Sequence, residues 1–190
     1  MRQCGEGILG VQENQEACEP NWDRAFEELF LNHYGPLVNT LVRVIGDRGQ
    51  AEELAAEAFY RLYNQRPGRR ELRNHTGWVY RVAINLALDA LRSNSRRLHR
   101  ETEAERAGFA VMAPDALQNL LAEEQRARVR CVLARLKPAQ AQILILGSNG
   151  TSYRDIALMM GLKTDSIYTL VCRARTRFER EYLKLYGRRP

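Results

Sequence analysis

The chain has 190 residues, 45% of them hydrophobic and 27% charged, with a formal net charge of +6 at pH 7. That length holds one ordinary domain or two small ones, and the hydrophobic content is that of a globular chain, not a disordered one. No run of 18 apolar residues occurs, and Met1–Pro20 lacks a basic start followed by an apolar stretch, so neither membrane insertion nor secretion is expected and a cytoplasmic protein is.

Residues 1–20 are polar, acidic and glycine-containing and read as a disordered tail. From Asn21 a helical period takes over: Trp22, Phe26, Leu29 and Phe30 begin an apolar stripe that Tyr34, Leu37, Val38, Leu41, Val42 and Ile45 continue to Gly46. Asp47 starts the next helix, with Gln50 in capping-box position. Ala51, Leu54, Ala55, Ala58, Phe59 and Leu62 form its apolar face, and Glu52, Glu53, Glu57 and Arg61 its polar one. Pro67-Gly68 breaks the pattern, and an arginine-rich loop, 66–75, leads to Thr76, a candidate N-cap for a helix running to about Arg97. On that helix Val79, Val82, Ala83, Leu86 and Ala90 form the expected core side. Trp78, Arg81, Asn85, Asp89, Arg92 and Arg96 share another face at helical spacing.

Residues 98–116, with Gly108 and Pro114, read as a linker. Leu117, Leu120 and Leu121 lead a second helical unit that ends with Val129, Val132, Leu133 and Leu136. Pro138 opens a further helix carrying Ile143, Leu144 and Leu146 to Gly147. Ser152 and Asp155 have capping-box spacing for a short helix to Met160. Gly161 turns the chain, and Thr164 is the expected cap of a last helix to about Tyr186. The expected fold is all-α, two small helical domains (21–97 and 117–190) joined by a flexible linker.

Charge is distributed unevenly along these elements. Residues 67–100 and 137–190 each carry +6, whereas 1–20, 21–66 and 101–136 carry −3, −2 and −1. Two separated cationic surfaces suit a polyanion held at two places, with nucleic acid the first candidate. The tract 152–177 has the layout of a helix-turn-helix, with Ile156, Ala157, Ile167, Leu170 and Val171 as the expected contact between its helices. Lys163, Asp165, Ser166, Tyr168, Thr169, Cys172, Arg173 and Arg177 then face outward, where the first of them reach base edges and the arginines suit phosphate or guanine. The competing reading is an αα-hairpin with a solvated cationic face.

In the first basic block an aromatic and an amide, Trp78 and Asn85, stand among arginines, a mixture suited to unstacked bases. The plainer reading makes Trp78 a core residue. The carboxylates of the acidic helix read by themselves as a solvated face. Cys4, Cys18, Cys131 and Cys172, and His33, His75 and His99, show no metal-ligand or disulfide spacing. No metal, cofactor, catalytic group or small-molecule substrate is expected, and the thiols are expected reduced.

Taken together these residues resemble a bacterial sigma factor of the sigma-70 family, of the extracytoplasmic-function type. The likeness runs through Phe26-Glu-Glu-Leu29, Tyr34, Leu37, Gly46-Asp47, Ala51-Glu-Glu-Leu54, Glu57-Ala-Phe59, Leu62, Trp78, Ala83-Ile-Asn85, Asp89 and Arg92. It continues with Leu136-Lys-Pro138, Ser152-Tyr-Arg-Asp-Ile-Ala157, Gly161, Ser166-Ile167 and Arg173-Ala-Arg175. The resemblance implies a sigma region 2-like bundle and a sigma region 4-like helix-turn-helix, in a protein that is not an enzyme. It implies that Asp47, Glu52, Glu53, Leu54, Glu57 and Phe59 dock on core RNA polymerase. Arg69, Arg70, Arg73, Asn74, Trp78, Arg81, Asn85, Arg92 and Arg96 would take the melted −10 strand. Lys163, Asp165, Ser166, Tyr168, Thr169, Arg173 and Arg177 would read −35 duplex. Promoter DNA, core polymerase and an anti-sigma factor are the implied partners. The sequence departs from the family pattern at Ala56, where a glutamine is usual.

The two promoter elements lie on the order of 70 Å apart, two duplex turns. A linker of roughly 20 residues spans that distance only when nearly straight. In the free protein it can fold back and let the domains pack. Two other readings compete: a stand-alone helix-turn-helix regulator whose first domain binds a ligand or dimerises, and a sigma mimic that occupies polymerase or an anti-sigma factor without reading promoters. The ordered Trp78, Asn85 and Arg92 stripe favours promoter reading over a ligand or dimer module, which has no need of it.

Overall fold

The computed structural model describes residues 20–65, 74–101 and 114–187. Within them every regular element is an α-helix: α1 (Pro20–Ile45), α2 (Arg48–Gln65), α3 (His75–Glu101), α4 (Pro114–Arg135), α5 (Pro138–Ser148), α6 (Tyr153–Met160) and α7 (Thr164–Tyr186). The tail, Arg66–Arg73, residues 102–113 of the expected linker, and Cys4 and Cys18 lie outside the described residues. So do the side chains of Arg96, Leu117 and Leu120.

Local chemistry accounts for most of the boundaries. Gly46 takes φ +89° and its N–H donates to the Val42 carbonyl at 2.7 Å, closing α1 in a conformation that a side chain would strain. Asp47 caps α2, its Oδ1 accepting from the Gln50 N–H at 2.8 Å and its carbonyl from Ala51 at 3.1 Å. Ser152 caps α6 by accepting from the Asp155 N–H at 3.1 Å, and Gly161 ends that helix at φ +66°.

Two expected caps are displaced by one or two residues. Asn74, not Thr76, starts α3: its Oδ1 accepts from the Gly77 N–H at 2.7 Å and its carbonyl from Trp78 at 3.0 Å. Asparagine is the stronger cap, and the Thr76 hydroxyl instead approaches His33 Nε2 of α1 at 3.4 Å. Lys163, not Thr164, occupies the cap position of α7, and no side chain caps that helix.

The first three helices form a bundle in which Leu37, Leu41, Ala55, Phe59, Leu62 and Ala83 are essentially inaccessible. Aromatic residues at i, i+4 and i+8 on α1 stack along its length and close on Phe59 of α2, with Phe30 and Phe59 ring centres 5.0 Å apart at 70°. Around α4 to α7 the buried set is Val132, Leu136, Ala141, Leu146, Ile156, Ile167 and Val171. These are not two separate cores. One continuous hydrophobic cluster runs from Leu37 through α3 to Val171, and α3 packs against α1, α2, α4, α5 and α6.

That central position corrects the expected core face of α3. Val79 and Ala83 are buried as anticipated, but Val82, Leu86 and Ala90 are only half-buried, while Tyr80, Ile84, Ala87, Leu88 and Leu91 are buried as well. A helix covered on two flanks needs a wider apolar surface than one stripe supplies. On α4, Leu121, one of the leucines that lead the second helical unit, is 55% exposed.

The α1–α3 seam carries a pH dependence. His33 and His75 are both held below the ordinary histidine pKa of 6.5 by desolvation on burial. Each therefore takes up its proton less readily when folded, so the unfolded chain binds protons first. Their contribution is intact above pH 6.5 and is lost as pH falls below it. Denaturant midpoints measured between about pH 7.5 and about pH 5.5 are expected to fall, and to fall less in a His33→Asn/His75→Asn double variant.

Candidate nucleic-acid interface

The helix-turn-helix is built from α6 and α7. Ile156, Ala157, Ile167 and Val171 are buried between the helices, with Leu170 half-buried beside them. Ala157 is 1% exposed and leaves room for the close crossing that Gly161 sets up. Every residue expected to face outward does so: Lys163, Asp165, Ser166, Tyr168, Thr169, Cys172, Arg173 and Arg177 are all exposed. Tyr168 is 65% exposed and meets the Tyr153 ring edge-on at 6.3 Å. Arg177 pairs with Glu181 at 2.9 Å. Gln140, Thr169, Cys172, Arg173, Thr176 and Arg177 line a shallow recess of about 400 Å³ on this face. The first turn of α7 has no side-chain cap, so its backbone N–H groups lie at the positive end of the helix dipole.

The polar stripe of α3 is only partly in solvent: Asn85 and Asp89 are exposed, whereas Arg81 and Arg92 are half-buried. Trp78 is half-buried and packs against the core cluster. Arg81 Nη1 donates to the Met159 carbonyl at 2.6 Å, and Asn74 Nδ2 to the Leu158 carbonyl at 2.7 Å. Asn85 Oδ1 accepts from Gln142 Nε2 at 2.7 Å. Arg92 bonds Asp89 at 2.8 Å and the carbonyls of Ala134 and Leu136 at 3.0 and 3.3 Å. Leu158 and Met159 end α6, and Ala134 lies at the end of α4. The stripe thus supplies donors to carbonyls at the negative ends of two helices. Asn74, Arg81, Asn85 and Arg92 are brought onto one surface, and that surface faces α4 to α6. Arg69, Arg70 and Arg73 lie outside the described residues.

On α2 the expected docking residues divide by burial. Asp47 and Glu53 are exposed, Glu52 pairs with Arg48 at 2.8 Å, and Glu57 pairs with Arg61 at 2.7 Å. Leu54 is half-buried against the core. Phe59 is 2% exposed inside the aromatic cluster. Its expected place on a docking face is therefore corrected: it positions α2 and presents no surface of its own. Tyr60, 62% exposed on the same helix, was missed by sequence reasoning because hydrophobic patterning assigns aromatics inward. Gln142 was also missed. Its signal was a lone amide inside the apolar run Ala141–Leu146, where a buried polar group requires a partner.

No group of three or more histidine, cysteine or acidic side chains suited to a metal occurs among the described residues, and none of the described helices is long and apolar enough to cross a membrane.

Comparison with known proteins matches both sets of helices. Residues 29–97 match the family model for sigma-70 region 2, and residues 126–178 match that for sigma-70 region 4. The RNA polymerase sigma-H factor of Pseudomonas aeruginosa is 30% identical over 168 residues, covering 80% of this chain and 83% of that protein. The ECF RNA polymerase sigma factor SigE of Mycolicibacterium smegmatis is 29% identical over 173 residues, 88% of this chain and 63% of the relative. The probable ECF RNA polymerase sigma factor SigI of Mycobacterium tuberculosis is 32% identical over 148 residues, 75% of this chain. The chain spans half the length of that last relative. Among solved structures, the sigma factor RpoE in complex with the anti-sigma factor NepR from Bartonella quintana aligns with a TM-score of 0.47 at 21% identity, covering 86% of this chain and 99% of that one.

Proposed function

Since the chain belongs to the sigma-70 family, in its extracytoplasmic-function type, we propose that it binds core RNA polymerase and directs initiation at its own promoters, reading −35 duplex with α7 and the melted −10 strand with α3. The observation that carries this reading is the order of the two matched regions along one chain, the second with an exposed polar face on α7. Helix α2 is the docking element, through Asp47, Glu52, Glu53, Glu57 and the rim of Leu54. With a glutamine absent at position 56, Ala56, which is exposed, contributes no polar contact.

The chemistry asked of the protein is recognition. Bond formation belongs to the polymerase. Its place of work is the cytoplasm, where promoter and polymerase are, and an anti-sigma factor is the proposed regulator.

The decisive experiment adds the purified chain to core polymerase and sequences the transcripts made from genomic fragments. Specific 5′ ends that are absent with core enzyme alone support the reading. Their absence, together with failure to co-elute with core enzyme, rejects it.

Arg173→Ala tests the reading helix. Exposed on α7, Arg173 is available to phosphate or guanine. The variant is expected to bind −35 duplex about tenfold more weakly and to lose about one unit of slope in log K against log salt. Unchanged affinity and slope remove Arg173 from the interface.

A further inference from the structure

Three recesses share lining residues and so adjoin along one side of the molecule, and Arg43 of α1 lines all three. The central one, of about 310 Å³, is bounded by α1, α4, α5 and α7 and is mostly apolar. Val44 and Leu133 are buried parts of its wall, whereas Val129, Leu144 and Phe178 are only half-buried there. These last three side chains are apolar surface that the chain's own packing does not cover.

Polar groups gather at the same hollow. Arg43 of α1 and Arg175 of α7 are exposed residues that line it. Asn149 fixes the first of them: its Oδ1 accepts from Arg43 Nη1 at 3.1 Å, while its Nδ2 donates to Thr40 Oγ1 at 2.8 Å. The Thr40 hydroxyl donates in turn to the Pro36 carbonyl at 2.9 Å, so Arg43 is aimed by a chain of bonds that ends on main chain. A guanidinium has five N–H donors, and the bond to Asn149 occupies one of them. Among the described residues no carboxylate lines the hollow, and Glu123 is engaged by Arg126 and Arg130, which line the recess beside it.

We propose that this hollow is a binding site for a small apolar anion, an alkyl or aryl carboxylate. Its body lies against Val129, Leu133, Leu144 and Phe178, and its carboxylate meets Arg43 and Arg175. The two halves of the site do different work. Removing an apolar body from water supplies affinity but no choice of ligand. The guanidinium groups make the choice, because a carboxylate gains charge-assisted hydrogen bonds that an alcohol cannot match, and an amine is repelled. A volume of about 310 Å³ is at the small end of the roughly 300–1,000 Å³ usual for ligand sites, which suits a one- or two-ring acid or a medium-length alkyl acid. None of the residues assigned to promoter or polymerase contact lines this hollow.

Because its walls come from four helices, a ligand that binds only the folded chain raises the thermal midpoint as it saturates the site. The full-length chain would be titrated with decanoate and with naphthoate, each below any micelle-forming concentration, by calorimetry and by thermal denaturation. The two acids distinguish an alkyl from an aryl body. Decanol and decylamine offer the same alkyl chain without charge and with a positive one. Arg43→Gln and Arg175→Gln each remove one cation from the hollow, and Arg180→Gln removes one outside it. Val129→Phe fills the hollow from α4. Far-ultraviolet circular dichroism of the ligand-free variants checks that each is folded.

At least one acid is expected to bind and raise the midpoint, with decanol about tenfold or more weaker and decylamine weaker still. Each arginine variant of the hollow is expected to weaken the acid about tenfold and to leave decanol unchanged, whereas Arg180→Gln alters neither. Absence of binding by both acids overturns the site. Equal binding of decanoate, decanol and decylamine overturns its selection of anions. Acid binding that persists unweakened in both arginine variants and in Val129→Phe puts the ligand elsewhere and overturns the assignment. None of these readouts uses DNA or polymerase, so such a failure leaves the promoter function standing.

Discussion

Phe59→Ala is expected to lower the unfolding free energy by about 3–5 kcal/mol, a large share of the roughly 5–15 kcal/mol available to a domain. The ring is 2% exposed and takes edge contacts from Phe26 and Phe30 at 6.1 and 5.0 Å, with Tyr34 tilted against it at 6.1 Å. Truncation leaves a cavity at the meeting of α1 and α2 that neither helix can collapse to fill. Urea denaturation followed by circular dichroism measures the loss. A change below about 1 kcal/mol would mean that the aromatic cluster does not anchor α2. The comparison with Glu53→Ala separates structure from docking. Glu53 is exposed, so its removal should leave the denaturation midpoint in place while weakening association with core polymerase.

Trp78→Ala is expected to impair promoter opening about tenfold or more while leaving −35 duplex binding unchanged. A base stacked on an aromatic ring contributes about 1–3 kcal/mol, and every base offers a face for it. Permanganate reactivity of the melted strand in the reconstituted polymerase reports the opening. Because Trp78 also packs against the core cluster, the control is Trp78→Tyr, which keeps an aromatic face in a smaller volume. Recovery of opening in Trp78→Tyr, against continued loss in Trp78→Ala at matched stability, assigns the effect to the ring. Equal opening in all three proteins removes Trp78 from strand capture and leaves it a core residue.

Several features were legible in the residues because local chemistry decides them. The 3.6-residue period located the helices and the buried faces of α2, α6 and α7. Gly46 and Gly161, both at positive φ, marked real chain turns. Asp47 and Ser152 were recognisable caps, since a side-chain oxygen one or two bonds from Cβ reaches the third N–H of the following turn. The outward residues of α7 followed from two helices needing one mutual apolar contact, which left the other positions to solvent.

Where reasoning from residues failed, a distant partner intervened. Asn74 took the cap of α3 from Thr76 partly because His33 of α1 lies beside the threonine hydroxyl. The extra apolar positions of α3, Ile84, Ala87, Leu88 and Leu91, are explained only by its being covered on two flanks.

What the sequence determined by itself was which side chains share a helix face, and hence that a cationic outward face on the last helix and a second stripe of arginines, an amide and an indole exist. Periodicity does not say what a face meets. Only the tertiary structure decided that the stripe on α3 lies against the ends of α4 and α6, because its acceptors there are main-chain carbonyls. Every helix end offers such carbonyls whatever its side chains, so no residue pattern announces them.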